Sequence, residues 1–215
     1  MRRLLFIALF CTSFFVSSEE TISRWMSDYF KRIHDHIGNE NYEKAEYELE
    51  MGNNNYFRGG RTYEAALLYQ LYGQFYAVQS QYTEAVPWFE KALATDKMPR
   101  IGAQEVRFQL AQTYFMIGKY ENVITLLEEF IKIGERYKYP VSARVNLLMS
   151  YSHGRIEQYD SSYYHIKQAN NKSDKPQIDW IEYAFSLAMK LENLDDAEDL
   201  GTRLLFLEPN KKKYW

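Results

Sequence analysis

The sequence predicts an all-α fold, a solenoid of about five antiparallel helix pairs. A pattern of aromatic and small residues, Tyr82-x-x-Ala85-x-x-x-Phe89-x-x-Ala92, recurs along the chain. It returns from Tyr120 (Val123, Leu127), from Tyr159 (Ser162, Ile166, Ala169) and from Leu194 (Ala197, Gly201, Leu204), with a weaker copy from Tyr42 (Ala45, Leu49). The copies open 40, 38, 39 and 35 residues apart, a period that marks stacked two-element units instead of one globular core. Apolar residues between the copies recur at helical spacing, and no segment alternates as a strand would.

The elements follow in order. Trp25, Tyr29, Ile33 and Ile37 mark one face of a first helix, which Gly38-Asn39-Glu40-Asn41 breaks. A second helix carries Ala45 and Leu49 and ends in the turn signal Met51-Gly52-Asn53-Asn54-Asn55. Gly59-Gly60 marks a loop before a long helix from about Tyr63 to Gln79, followed by the helix opened by Tyr82. A helix from Gln104 to Met116 ends at Gly118, and its partner runs from Tyr120 to about Ile133. Tyr139-Pro140 resets the chain, because a residue before proline avoids helical torsions. Val141–Ser152 is helical, His153-Gly154-Arg155 follows as a break, and Tyr159–Ala169 is helical again. Residues 170–176 form an inter-repeat loop. Helices Ile178–Leu191 and Asp195–Leu207 close the array, with Pro209 as the stop.

Composition narrows the function classes. Hydrophobic residues make up 46% and charged residues 26%, a normal folded composition. Nineteen Tyr and 13 Phe fit a repeat that places an aromatic ring at several packing positions. The net charge of −3 offers no basic face for nucleic acid. Residues 1–18 have the layout of a secretory signal peptide: Arg2 and Arg3, an apolar run from Leu4 to Val16, then Val16 and Ser18 at the −3 and −1 positions of a cleavage site. That leader implies an exported protein, periplasmic or secreted; an uncleaved N-terminal membrane anchor is the alternative. Cys11 is the only cysteine, so a mature domain of residues 19–215 has neither a disulfide nor a thiol nucleophile. Its balance, 24 basic against 29 acidic residues, gives −5.

The residues resemble the tetratricopeptide repeat, a two-helix unit of 34 residues. The best copy, about 66–99, places Tyr69, Tyr72, Gly73, Tyr76, Tyr82, Ala85, Phe89 and Ala92 at the family's signature positions, with Pro99 displaced from the terminal proline. The copy at 104–137 supplies Leu110, Ala111, Tyr114, Gly118, Tyr120, Val123 and Leu127, and the last, 178–211, Leu194, Ala197, Leu204 and Pro209. The copy at 26–59 keeps half of the signature. The copy at 141–176 aligns only with about two extra residues between its helices. The resemblance implies a right-handed superhelix, with small residues such as Gly73, Ala85 and Ala92 where helices cross closely.

Chemistry-bearing patterns are sparse. The histidines of His34-x-His36 point in different directions on a helix, and His153 and His165 lie in separate elements with no helper motif. Gly59-Gly60-Arg61 lacks the further glycines and lysine of a phosphate loop, and Gly-x-Ser-x-Gly is missing. Asn171-Lys172-Ser173 matches a glycosylation acceptor. No catalytic, cofactor or metal residue is expected, and the chain is expected not to be an enzyme.

In the family the first helix of each unit faces a concave surface. Carried over, those positions are Gln70, Gln74 and Val78, then Phe108, Gln112 and Phe115, then Val145 and Met149, then Glu182 and Met189. The resemblance implies a protein or peptide partner held there, with Gln side chains bonding its backbone. Phe108, Phe115 and Met149 packed between helices is the competing reading. No cluster of Lys and Arg is present to grip a C-terminal carboxylate. The expectation is a non-enzymatic interaction scaffold of the cell envelope. Lys211-Lys212-Lys213-Tyr214-Trp215 resembles a juxtamembrane stretch, which keeps a second expectation open: the extracytoplasmic sensor part of a membrane-bound regulator. The preference of lysine clusters for the cytoplasmic side opposes it.

Overall fold

The structure is a computed structural model that describes residues 22–56, 62–173, 175 and 177–209. The leader at 1–18, Gly59-Gly60 and the stretch Lys211–Trp215 lie outside the described residues. Ten α-helices are present among them: α1 (Arg24–Gly38), α2 (Tyr42–Met51), α3 (Tyr63–Val78), α4 (Tyr82–Ala94), α5 (Arg100–Met116), α6 (Tyr120–Tyr137), α7 (Ala143–Arg155), α8 (Tyr159–Asn171), α9 (Ile178–Lys190) and α10 (Leu194–Leu207). No strand occurs among the described residues. The chain forms two compact units, one ending at Ile117 with α1–α5 and one beginning at Gly118 with α6–α10. In the first, α1 packs on α2 and α3, α3 on α4, and α4 on α5. In the second, α6 packs on α7, α7 on α8, α8 on α9, and α9 on α10.

One turn recurs between paired helices. Glu40, Ser80, Gly118, Glu157 and Glu192 all have positive φ, between 56° and 77°, and each lies two residues before the residue that opens the next helix. At four of them the same two hydrogen bonds close the turn. Ser80 N–H donates to Ala77 O (3.0 Å) and Gln81 N–H to Tyr76 O (2.9 Å). The equivalent pairs are Glu40 to Ile37 with Asn41 to His36, Glu157 to Gly154 with Gln158 to His153, and Glu192 to Met189 with Asn193 to Ala188. This is the Schellman closure of a helix end, which satisfies two carbonyls that would otherwise lack partners. The residue opening the next helix is Tyr42, Tyr82, Tyr120, Tyr159 or Leu194, so the recurring pattern of the sequence marks the first position of every second helix.

The turn also fixes where the variable repeat length is absorbed. Because Ala77, Ser80 and Gln81 superpose in sequence on Gly154, Glu157 and Gln158 without a gap, the α7–α8 pair holds no extra residues between its helices. The length differences fall mostly in the helices: α4, α6 and α8 have 13, 18 and 13 residues, whereas the connections that follow them, 95–99, 138–142 and 172–177, are nearly equal. His153-Gly154-Arg155 is the last turn of α7 and not a break. Position 154 is a glycine inside the helix because the Tyr183 hydroxyl occupies the space a Cβ would need. Met51–Asn55 also differs from expectation: α2 passes into a π-helical turn over Gly52–Tyr56. A Cβ on Gly52 would lie 2.9 Å from the hydroxyl of Tyr29, which donates to the backbone carbonyl of Glu48. Helix α5 starts four residues before the expected Gln104, directly after Pro99, and α6 runs four past Ile133 to a Schellman closure at Lys138 (φ 57°).

Close crossings hold α3 to α4 in the first unit and α7 to α8 in the second. A Cβ on Gly73 would stand 2.6 Å from the ring of Phe89, which is fully buried. Ser150 and Ser162 occupy the matching crossing of α7 and α8, where each hydroxyl donates to the other's backbone carbonyl, at 2.6 and 2.8 Å. Burying a ring such as that of Phe89 contributes about 2–3 kcal/mol, which depends on Gly73 staying bare.

A non-glycine residue in the left-handed region costs about 1 kcal/mol, which a glycine avoids. Glu157→Gly is therefore expected to raise the stability of the second unit by roughly 1 kcal/mol, read as a higher urea midpoint at unchanged slope. Gly73→Ala is expected to lower the stability of the first unit by about 1–3 kcal/mol, because Phe89 has to leave its rotamer.

Candidate peptide-binding surface

Counted back from the recurrent turn, equivalent positions of the first helices can be compared directly. On α3 the stripe is Gln70, Gln74 and Val78; on α5 it is Phe108, Gln112 and Phe115. Gln70 and Gln74 are buried and Val78 is half-buried. Gln70 Nε2 donates to Gln109 Oε1 of α5 at 3.1 Å, which ties the two helices and spends its amide inside the chain. Helix α3 is apolar nearly all round, as a helix buried on several sides has to be. Phe108, Gln112 and Phe115 are each half-buried, and Ile101 and Met116 on the same stripe are exposed.

In the second unit the register moves the stripe. Val145 and Met149 are 2% exposed. They stand at the positions of Leu68 and Tyr72, which belong to the core of the first unit. Leu147 and Tyr151, both half-buried, hold the positions of Gln70 and Gln74. The expectation for Val145 and Met149 came from the two residues inserted between the helices, which the turn does not contain. On α9, Glu182 is half-buried and Met189 is 50% exposed. The Tyr151 ring meets that of Tyr183 at 5.0 Å, joining α7 to α9. Burial, then Tyr183 and Asp179, pushes the Tyr151 hydroxyl up to about 12.

Sequence reasoning treated two histidines as unrelated that the fold places face to face. His153 of α7 and His165 of α8 stack at 5.4 Å with ring planes 5° apart. His165 stands where α4 has Trp88, which stacks on Tyr72 at 4.0 Å. Each histidine Nδ1 meets an amide oxygen, Gln158 Oε1 at 2.7 Å and Asn146 Oδ1 at 3.3 Å, and therefore donates. His153 stands at the position of Tyr76, one turn on from that of Tyr72, so counting from the turn places His165 but does not by itself pair it with His153. Among the described residues no group of three or more His, Cys, Asp or Glu could hold a metal ion, and no helix is long and apolar enough to cross a membrane.

Burial, with His153 and Lys172, lowers the pKa of His165 from 6.5 to about 4. Between those values the unfolded chain binds a proton that the folded chain refuses. The His165 contribution to stability is thus complete above pH 6.5 and is lost progressively as pH falls toward 4. The urea midpoint of the second unit is expected to decline through that window, and His165→Phe, which keeps the stack without the titration, is expected to flatten the decline. An equal decline in the variant would assign it to other groups.

No protein-family model and no curated protein matches the sequence. Solved structures do match. MamA from Desulfovibrio magneticus RS-1 aligns over 89% of this chain and 99% of its own, at 17% identity and a TM-score of 0.67. YrrB, described as a tetratricopeptide-repeat protein with an unusual peptide-binding site, aligns over 86% of this chain and 88% of its own, at 15% identity and a TM-score of 0.67. A signal-transduction ATPase with a tetratricopeptide-repeat sensor, from Pyrococcus horikoshii, aligns over 86% of this chain and 30% of its own, at 17% identity and a TM-score of 0.73. The chain has the tetratricopeptide-repeat fold.

Proposed function

We propose that the chain is a non-enzymatic interaction scaffold of the cell envelope, which holds a protein or peptide partner on a first-helix face, that of α5 in its first unit. The observation that carries this reading is the α5 stripe. Phe108, Gln112 and Phe115 lie along one line of one helix, half-buried, with exposed Ile101 and Met116 at its ends. A line of aromatic anchors with a bare amide between them suits an extended segment: rings receive its side chains and Gln112 bonds its backbone. The described peptide-binding site of YrrB supports the reading by its fold, and the leader at residues 1–18 supports the location. Because Gln70 is engaged with Gln109, the proposed surface in the first unit centres on α5 instead of α3.

A second reading is the extracytoplasmic sensor part of a membrane-bound regulator. The Pyrococcus neighbour, whose repeats are described as a sensor, favours it. The two readings share the ligand-bearing face and differ in what the chain is joined to in the cell. Membrane fractionation of the native protein distinguishes them.

Phe108→Ala with Phe115→Ala is expected to weaken a partner captured from the extracytoplasmic fraction by about tenfold or more, while the chain still melts cooperatively. The check is a titration of that partner beside a thermal melt. An unfolded double variant would show that both rings are core and that the surface is misassigned.

A further inference from the structure

Glu105 stands on the α5 stripe one turn before Phe108 and one turn after Ile101. Its carboxylate is half-buried, and desolvation alone raises its pKa, with no neighbouring cation to offset the burial. Among the described residues no group hydrogen-bonds to it or pairs with it. Arg107, two residues on, turns instead to Gln104, with Nη1 3.4 Å from Oε1. The turn register makes Asp179 of α9 the counterpart of Glu105, but Asp179 is exposed where Glu105 is half-buried. A negative charge partly withdrawn from water and left without a partner is unfavourable in the free chain and favourable only where a cation reaches it. On either side of it are apolar side chains open to solvent, Ile101 at 51% and Met116 at 45% exposed.

We propose that the α5 face binds a protein segment presenting a lysine or arginine next to an apolar or aromatic side chain, with Glu105 receiving the cation and the Ile101–Phe108–Met116 stripe the apolar part. This rests on the scaffold reading above and names the chemistry of its partner. The charge balance of the chain, 29 acidic against 26 basic residues, draws the same kind of segment.

The test uses a phage-displayed library of random linear peptides selected on the purified chain. Enriched peptides are then synthesised and titrated against the wild type, Glu105→Gln and the Phe108→Ala, Phe115→Ala double variant. Enriched peptides are expected to pair Lys or Arg with a hydrophobic neighbour. Glu105→Gln is expected to weaken them by about tenfold. Replacing the peptide's basic residue by norleucine should cost the same in the wild type and almost nothing in Glu105→Gln, since the two changes remove one interaction. The same variant is expected to melt at a higher temperature, because it removes a desolvated charge. Peptides that require Phe108 and Phe115 but carry no basic residue, or ignore Glu105→Gln, overturn this inference and leave the scaffold surface standing. If no enriched peptide depends on Phe108 and Phe115, both fall. A lower melting temperature for Glu105→Gln shows that the carboxylate has a partner within the chain, and overturns the inference as well.

Discussion

Within each unit the paired helices reverse direction through a single residue held in the left-handed region, and equivalent positions on them are counted from that residue. The two hydrogen bonds of the closure leave no freedom in how far the first helix runs before the second begins. The crossing of small residues, Gly73 under Phe89 or Ser150 against Ser162, can then recur at one fixed distance from the turn. Variation in repeat length then falls outside the turn, in the lengths of the helices and in the connection after α2. Four of the five positions carry Glu or Ser, which tolerate the conformation less well than glycine, so tertiary packing supplies what local preference does not.

Burial separates two kinds of first helix. Helix α3 is enclosed on most of its surface and its Gln70 is tied to Gln109, which makes it a strut. Helix α5 keeps a half-open line of rings, an amide and one unpaired carboxylate, which leaves it free to make contacts outside the chain. The ring stacks within pairs differ in partner and in chemistry, since His153 holds the position of Tyr76 and not of Tyr72. Trp88 on Tyr72, with Lys91 over the indole at 4.2 Å, is insensitive to mild acid, whereas His165 on His153 is not.

The period, the pairing of helices and the opening tyrosines were legible in the sequence, because an amphipathic helix writes its buried face at a fixed spacing. The register of α7 was not. Gly154 looks like a helix breaker, whereas it lies within α7 and is glycine because the Tyr183 hydroxyl packs against it. That misreading moved the surface residues by two, onto Val145 and Met149, which are core. The partnership of Gln70 with Gln109 was equally hidden, since a buried amide pair has no sequence signature. Glu105 could have been found by extending the α5 stripe one turn back from Phe108, but its isolation is a property of the packed chain.

The turn-derived register is tested most directly by thiol accessibility along α7, in a chain whose Cys11 is replaced by serine. Leu147→Cys and Val145→Cys differ by two residues and, on this account, by the side of the helix they face. Leu147→Cys should react with a soluble thiol reagent under native conditions, and Val145→Cys should react only as fast as the unit opens. Faster labelling at position 145 than at 147 would contradict the register, and with it the placement of every first-helix residue counted from the turn.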